Sequence, residues 1–342
     1  MTNIKGLTLP ELEHWVSEIG EKPFRAKQIY RWMYKKNARS FEEMSDLSKE
    51  LQVKLSKLAT LSLLGISSRI QSKIDQSVKY LFRLPDEQAV EAVYMVNGKR
   101  TTVCLSTMVG CPIACPCCAT GIMEFKRRLT TGEIVDQLLF IQRDRQTAVT
   151  NIVFMGMGEP FLNYDNVIKA ASILNSELGP EIAARRIIIS TAGIVPEIYR
   201  YADEGHRFKL AISLNATTDN QRDELVPINK KYPLQNLLSA VRYYTKKSRR
   251  RVTFEYVLIN DFNDSKEDAK RLIKMLGQIP CKVNVIPFNQ NEFLPYKSPS
   301  EVRLEQFLKH LFRAPFAITV RRSKGQDISA ACGQLYVRAH QG

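Results

Sequence analysis

The chain lacks a long hydrophobic run. Its apolar segments, such as residues 187–189, fall far short of the roughly 20 residues that cross a bilayer. The stretch after Asn3 and Lys5 also lacks the apolar core of a signal peptide. Hydrophobic residues make up 44% of the chain and charged residues 25%, as in ordinary globular proteins. We therefore expect a cytoplasmic protein that has no membrane partner.

Acidic residues are few relative to basic ones. The chain has 35 Asp and Glu against 50 Lys and Arg, which gives a net charge of +15. The excess is concentrated at residues 35–39, 126–128, 246–251 and 321–324. Any one of these clusters can be ordinary solvated surface. Together they favour a polyanionic partner, and nucleic acid is the commonest one.

Histidine is rare, and none of its four occurrences lies near the cysteine-rich segment VGCPIACPCCATG: His14, His206, His310 and His340. That segment carries Cys111, Cys115 and Cys118 in C-x3-C-x2-C order. Zinc would need a fourth ligand, for which only Cys117 is close in sequence. Three thiolates suit a [4Fe–4S] cluster that keeps one iron open, and we favour the cluster over zinc. An odd total of seven cysteines does not suit a disulfide framework, and Cys281, without a motif, reads as core.

Neither internal repeats nor low-complexity tracts occur, so the organisation follows from hydrophobic periodicity. Residues 1–68 read as an N-terminal helical accessory domain that binds RNA, and 69–100 as connecting strands with a hairpin turn at Asn97 and Gly98. Residues 101–342 alternate strands with helices, which predicts a parallel sheet wound as a barrel or part of one. Functional residues should then lie at the carboxyl ends of the strands.

The predicted helices begin at Leu9 and cover residues 24–34, 48–58, 131–145, 165–177, 195–204, 234–247, 264–277 and 300–313. The predicted strands cover residues 79–84, 90–96, 101–107, 151–156, 186–191, 209–214, 252–259, 282–288 and 317–321.

The cysteine motif after the first barrel strand resembles that of the radical S-adenosylmethionine (SAM) superfamily. Five further segments resemble its RlmN/Cfr branch of RNA methyltransferases: FRAKQIYRW at 24–32, GMGEP at 156–160, ISTAG at 189–193, AISLNA at 211–216 and AACGQL at 330–335. The resemblance implies an α/β fold, a partial (β/α)6 TIM-like radical SAM barrel with a small N-terminal helical domain. It implies two cofactors, a [4Fe–4S] cluster on the three cysteines and SAM, two molecules per turnover.

The resemblance also assigns residues to SAM. These are Gly158, Glu159, Ser190, Ser213, Leu214, Asn215 and Asn289. Gly156 and Gly158 lack a Cβ and so let the backbone approach a ligand closely. Glu159 offers an acceptor for the ammonium or ribose hydroxyls of SAM. Strand-end hydroxyl and amide groups suit ribose and carboxylate contacts.

Three further residues are implied to be catalytic: Cys332, Cys104 and Glu91. Adenine C2 has no nucleophilic electrons, so a methyl cation cannot be transferred to it directly, whereas a carbon radical can add. In the family's chemistry Cys332 carries a methyl group, its thiomethylene radical adds to the base, and Cys104 releases the product by forming a disulfide. Glu91 matches the proton acceptor. The aromatic residue usual before the third cluster cysteine is replaced by Cys117, for which no role follows.

The implied activity is methylation of C2 of an adenosine in 23S ribosomal RNA and in tRNA anticodon loops, by a monomer that takes electrons from a flavodoxin-type or ferredoxin-type donor. A Cfr-type enzyme that methylates C8 is one alternative, although Pro160 and AACGQL favour the RlmN type. A non-enzymatic, metal-stabilised RNA-binding protein is the other.

Overall fold

The computed structural model describes residues 1–61 and 64–337, so His340 lies outside the described residues. The helices are α1 (Leu9–Glu18), α2 (Phe24–Tyr34), α3 (Lys49–Leu58), α4 (Thr131–Arg145), α5 (Tyr164–Asn175), α6 (Val195–Asp203), α7 (Asp219–Leu225), α8 (Leu234–Ser248), α9 (Lys266–Leu276) and α10 (Glu301–His310). The strands are β1 (Thr2–Asn3), β2 (Ala59–Thr60), β3 (Gly65–Gln71), β4 (Val78–Arg83), β5 (Ala89–Asn97), β6 (Arg100–Cys104), β7 (Met108–Val109), β8 (Arg127–Arg128), β9 (Asn151–Phe154), β10 (Ile187–Thr191), β11 (Lys209–Ser213), β12 (Val252–Leu258), β13 (Cys281–Pro287) and β14 (Ala317–Val320).

The main sheet has ten strands in the order β14-β13-β12-β11-β10-β9-β6-β5-β4-β3. Strands β6 and β9 to β14 are parallel neighbours, and each step from one to the next passes through at least one helix, from α4 to α10. This confirms the predicted α/β fold with a partial parallel barrel. The parallel strands are apolar because helices and the barrel interior cover their two faces, as at the fully buried Ile187 and Ile189 of β10.

An antiparallel meander, β3-β4-β5-β6, extends the barrel sheet. The predicted turn at Asn97 and Gly98 joins β5 to β6, and Gly98 has the positive φ of +56° that such a turn favours. Strand β3 was not predicted, since its residues after Gly65 are all exposed and show no apolar alternation. It begins inside the stretch that the sequence assigned to the helical domain. The domain limits at 68 and 100 remain predictions.

Segments that flank the N-terminal helices contact α4. Lys5 and Asp136 form a buried ion pair, and Asn37 Nδ2 donates to the carbonyl of Leu139 over 2.6 Å. Gly6 lies so close to Gly132 that a Cβ would come within 2.6 Å of the Gly132 nitrogen. These contacts attach the module to the barrel helix that follows the cysteine-rich segment. Within residues 1–61 and 64–337, no helix is long and apolar enough to cross a membrane.

Candidate active site at the carboxyl ends of the strands

A cavity of about 160 Å³ lies at the carboxyl ends of the parallel strands. Nine of the predicted site residues line it: Cys111, Cys115, Cys118, Gly158, Glu159, Ser190, Ser213, Asn215 and Cys332. Leu214, Asn289, Cys104 and Glu91 are not among its described lining residues. The fold thus brings most of the predicted site together from segments more than 200 residues apart.

The cysteine loop follows β6, and the short pair β7 and β8 closes its base. Tight turns hold its cysteines, with the Cys118 amide donating to the Cys115 carbonyl over 3.1 Å. A Cβ on Gly121 would come within 2.3 Å of the Cys115 oxygen, so only glycine allows the chain to fold back here. The loop therefore presents three thiols to one cavity without help from regular secondary structure.

Burial decides the electrostatics of these thiols. It raises the pKa of Cys111 to about 12 and that of Cys115 well above its usual value, and neighbouring acidic groups add to the effect. Metal binding must therefore displace the protons. Three thiolates fit a [4Fe–4S] cluster, in which each binds a different iron and the sulfurs need not meet at one point. Within the part of the chain that the structure describes, no three His, Cys, Asp or Glu side chains are placed to hold a single metal ion.

The two glycines of GMGEP, Gly156 and Gly158, lie in close contact with a neighbouring part of the chain. A Cβ on Gly156 would lie 2.7 Å from the carbonyl of Leu105, and one on Gly158 would lie 2.6 Å from the Met108 side chain. Gly158 also has a φ of +100°. We predicted that they let the backbone approach a ligand. Their close contacts are with the chain between β6 and the cysteine loop, and both glycines also line the cavity, so the approach to a ligand stays a prediction.

Glu159 is fully buried beside this cavity. One carboxylate oxygen accepts from the Phe161 amide at 2.9 Å and the other from the Ala192 amide at 2.7 Å. Burial raises the pKa of Glu159 to about 7, and the backbone donors oppose the rise. Each oxygen keeps acceptor capacity for a ligand.

Strand-end residues form the adjoining wall. Ser190 is the penultimate residue of β10, and Ser213 is the last residue of β11. Asn215 adopts a left-handed φ of +59°, and its side-chain oxygen accepts from the Val257 amide at 3.0 Å. Leu214, between Ser213 and Asn215, is fully buried and is not among the described residues that line the cavity. Alternation along the strand end explains why its neighbours line the cavity and its own side chain does not.

Asn289 holds the C-terminal loop. Its amide donates to the Cys332 carbonyl at 3.0 Å and to Ser323 Oγ at 2.9 Å, and its oxygen accepts from Gln326 at 3.1 Å. Gly333 next to Cys332 accepts from the Ala119 amide at 2.7 Å, which attaches this loop to the cysteine loop. The motif AACGQL is therefore fixed from two sides.

Cys332 lies where two cavities meet. It lines the main cavity and also a smaller one of about 20 Å³, which Cys104 lines too. Both cysteines are free thiols. Burial raises the pKa of both thiols, that of Cys104 to about 12, and the proximity of Cys332 contributes to that rise. Arg321 lines both cavities, and its charge lowers the pKa of each thiol in part.

Glu91 lies in β5, behind the C-terminal loop. Its carboxylate pairs with Lys79 at 2.9 Å and accepts from the Tyr336 amide at 2.9 Å. Burial raises the pKa of Glu91, and the Lys79 charge opposes that rise. The residue is thus a buried acceptor beside the chain segment that carries Cys332.

Arg222 was missed by the sequence reasoning. Its fully buried guanidinium donates to the carbonyls of Leu214 and Ser213, each at 3.1 Å. It also donates to the carbonyl of Ala192 and, at 3.0 Å, to Asn229 Oδ1. Burial lowers the pKa of Arg222 to about 10, so it stays charged at neutral pH. This one side chain joins the ends of β10 and β11 under the cavity.

Arg321 and Glu255 were also missed as site residues, and their charged groups lie 4.0 Å apart on the cavity wall. Only the position of Arg321 directly after β14 indicated in the sequence that it could belong to the site.

Cys117 lines the cavity and donates to the Leu225 carbonyl at 3.5 Å. Cys281 is buried in the core at the start of β13, as predicted.

Comparison with known proteins agrees with this geometry. A model of the ribosomal RNA large subunit methyltransferase N-terminal domain matches residues 2–61, and the radical SAM superfamily model matches residues 105–273. The dual-specificity RNA methyltransferase RlmN of Geobacter sulfurreducens is 47% identical over 335 residues, which cover 98% of this chain and 92% of the relative. The probable dual-specificity RNA methyltransferase RlmN of Petrotoga mobilis is 44% identical, with 98% and 97% covered.

A solved structure is similar over nearly the whole chain. It is a radical SAM methyltransferase from Sphaerobacter thermophilus, 43% identical, with a TM-score of 0.94. The match covers 98% of this chain and 99% of the other.

Proposed function

Since the chain belongs to the RlmN family of dual-specificity radical SAM RNA methyltransferases, we propose that it methylates C2 of an adenosine in 23S ribosomal RNA and of an adenosine in tRNA anticodon loops. One observation carries the proposal: Cys332 is shared by a cavity that holds the cysteine loop and a second cavity that holds Cys104. A methyl carrier needs both neighbours, a radical source on one side and a resolving thiol on the other.

Cys332 is the proposed methyl carrier. Its thiolate takes the methyl group of a first SAM molecule, and S-adenosylhomocysteine leaves. Arg321 favours this thiolate against the effect of burial. A [4Fe–4S] cluster on Cys111, Cys115 and Cys118 would supply the electron that cleaves a second SAM to a deoxyadenosyl radical, and would accept an electron later. Transfer of a hydrogen atom from the methyl group to that radical leaves a thiomethylene radical on Cys332, which adds to C2.

Cys104 and Glu91 complete the reaction. Glu91 accepts the ring proton from C2, and the adduct gives up one electron. The Cys104 thiolate then attacks the sulfur of Cys332, and the carbon–sulfur bond breaks with its electron pair on carbon, which takes a proton. The products are 2-methyladenosine and a Cys104–Cys332 disulfide. Thiol exchange with a reducing cytoplasm would restore the pair, and a flavodoxin-type or ferredoxin-type protein would supply the electron to a cluster held by Cys111, Cys115 and Cys118.

The residues proposed to contact SAM lie at the ends of the strands. Glu159 keeps acceptor capacity for the ammonium or ribose hydroxyls, and Ser190, Ser213 and Asn215 offer hydroxyl and amide groups from the adjoining wall. Asn289 acts on the same site through the loop of Cys332, which its amide holds in place.

The test is product analysis. Anaerobically reconstituted protein is incubated with SAM, a reductant and a 23S ribosomal RNA fragment or tRNA, and the digested RNA is analysed by mass spectrometry. We expect 2-methyladenosine, with one S-adenosylhomocysteine and one deoxyadenosine formed per methyl group. Detection of 8-methyladenosine alone would replace this proposal by the Cfr-type reaction, which the RlmN relatives do not favour.

A further inference from the structure

A third cavity lies at the opposite end of the barrel. Its volume is about 560 Å³, and its walls come from the amino ends of the strands. Lys209 opens β11 and Val252 opens β12, whereas Ser213 at the far end of β11 lines the active-site cavity. Four residue steps along the strand lead from Lys209 to Ser213, about 13 Å at 3.3 Å per step. This third cavity is therefore not an extension of the SAM site.

Six cationic side chains line this cavity, which we call the basic bowl: Arg185, Arg207, Lys209, Arg250, Arg251 and Lys282. They come from four separate segments, at the starts of β10, β11, β12 and β13. No Asp or Glu occurs among its described lining residues. Some exposed arginines elsewhere are paired, as Arg200 is with Asp165 and Glu204. Within residues 1–61 and 64–337, none of the six forms an ion pair or a side-chain hydrogen bond.

The fold thus places like charges together, with no carboxylate among the described lining residues to pair with them. Burial and the nearby charge of Lys282, Arg100 and Arg185 lower the pKa of Lys209. Such an arrangement binds anions, because an anion relieves the mutual repulsion of the cations and supplies acceptors for their donors. Arginine forks match the oxygens of phosphate in particular.

The other lining residues indicate which part of a ligand the basic bowl would contact. Beside the cations lie Ala184, Val252, Thr253 and Ala317, and no aromatic ring is found in the described lining. A nucleotide base would therefore find no aromatic ring on which to stack. We propose that the basic bowl binds adjacent phosphate groups, those of an RNA backbone or of a free polyphosphate, without reading bases.

Direct binding measurements test this inference without any need for the cluster or for methyl transfer, so they are independent of the proposed function. The probe is inorganic triphosphate, titrated calorimetrically into the full chain at low salt. The double variant Arg250→Gln/Arg251→Gln should bind it at least tenfold more weakly. The matched control is Arg242→Gln/Lys274→Gln, which removes two exposed cations from helices outside the bowl and should leave the affinity unchanged.

A second arm identifies the source of the phosphate. The affinity for a labelled single-stranded RNA is measured against salt concentration. Loss of two phosphate contacts should reduce the slope of log K against log salt by about 1.4, at about 0.7 per contact. A reduced slope assigns the bowl to RNA, and an unchanged slope with weaker triphosphate binding assigns it to a free polyphosphate. Triphosphate affinity equal in the bowl variant and the control would overturn the inference.

Discussion

Replacement of Arg222 by methionine tests how the SAM-binding strand ends are held together. Methionine keeps an unbranched chain of similar reach but has no donors. The substitution removes the bonds to the carbonyls of Ala192, Ser213 and Leu214 and to Asn229 Oδ1. These acceptors then remain inside the protein without the donor that joined them.

The magnitude follows from the number of bonds. An intramolecular hydrogen bond contributes about 1 kcal/mol net to stability, so the loss of four predicts a decrease of about 4 kcal/mol in the free energy of unfolding. Two of the freed carbonyls belong to residues that line the cavity, Ala192 and Ser213. We therefore also expect weaker SAM binding in the fraction that still folds.

Guanidinium chloride unfolding, followed by circular dichroism, measures the first effect, and SAM titration the second. Arg242→Met on the exposed face of α8 is the control and should change stability by less than about 0.5 kcal/mol. A loss below about 1 kcal/mol for Arg222→Met would refute the reasoning, since the four bonds would then not hold the strand ends.

Three further changes have defined outcomes. Lys79→Met removes the charge that lowers the pKa of Glu91, so the acid limb of the pH profile for methylation should move to higher pH; an unmoved limb would argue against Glu91 as the proton acceptor. Asn289→Ala releases the C-terminal loop and should reduce RNA methylation more than SAM cleavage to deoxyadenosine, whereas equal losses would indicate a direct SAM contact. Gly158→Ala combines a positive φ with an overlap at 2.6 Å and should cost about 3 kcal/mol. The control Gly205→Ala, with φ +68° and free space, should cost about 1 kcal/mol in the same denaturant titration.

The sequence predicted the parts of the fold that have strong local signals. Apolar strands alternating with amphipathic helices predicted the barrel, and Asn97 and Gly98 marked the hairpin. The spacing of the cysteines favoured a [4Fe–4S] cluster over zinc. The placement of Cys332 in the same cavity as Cys111 came from family resemblance, because no local pattern connects residues so far apart in the chain.

Other features depend on three-dimensional packing and left no local signal. Arg222 lies in the charged segment DNQRDEL, where an exposed arginine is the ordinary expectation. The tight fit of Gly156 and Gly158 against residues 105–108 depends on the loop after another strand. Strand β3 lacks an apolar face, since it lies at the sheet edge. The basic bowl gathers arginines that look like separate surface clusters along the chain.

The covalent role of Cys332 is the central claim, and one measurement tests it most directly. The variant Cys104→Ala is reacted anaerobically with SAM, reductant and RNA, digested with protease and nuclease, and analysed by mass spectrometry. Without the resolving thiol, the peptide that contains Cys332 should carry an adenosine fragment joined through a methylene group. An unmodified Cys332 peptide together with normal yields of 2-methyladenosine would contradict the account.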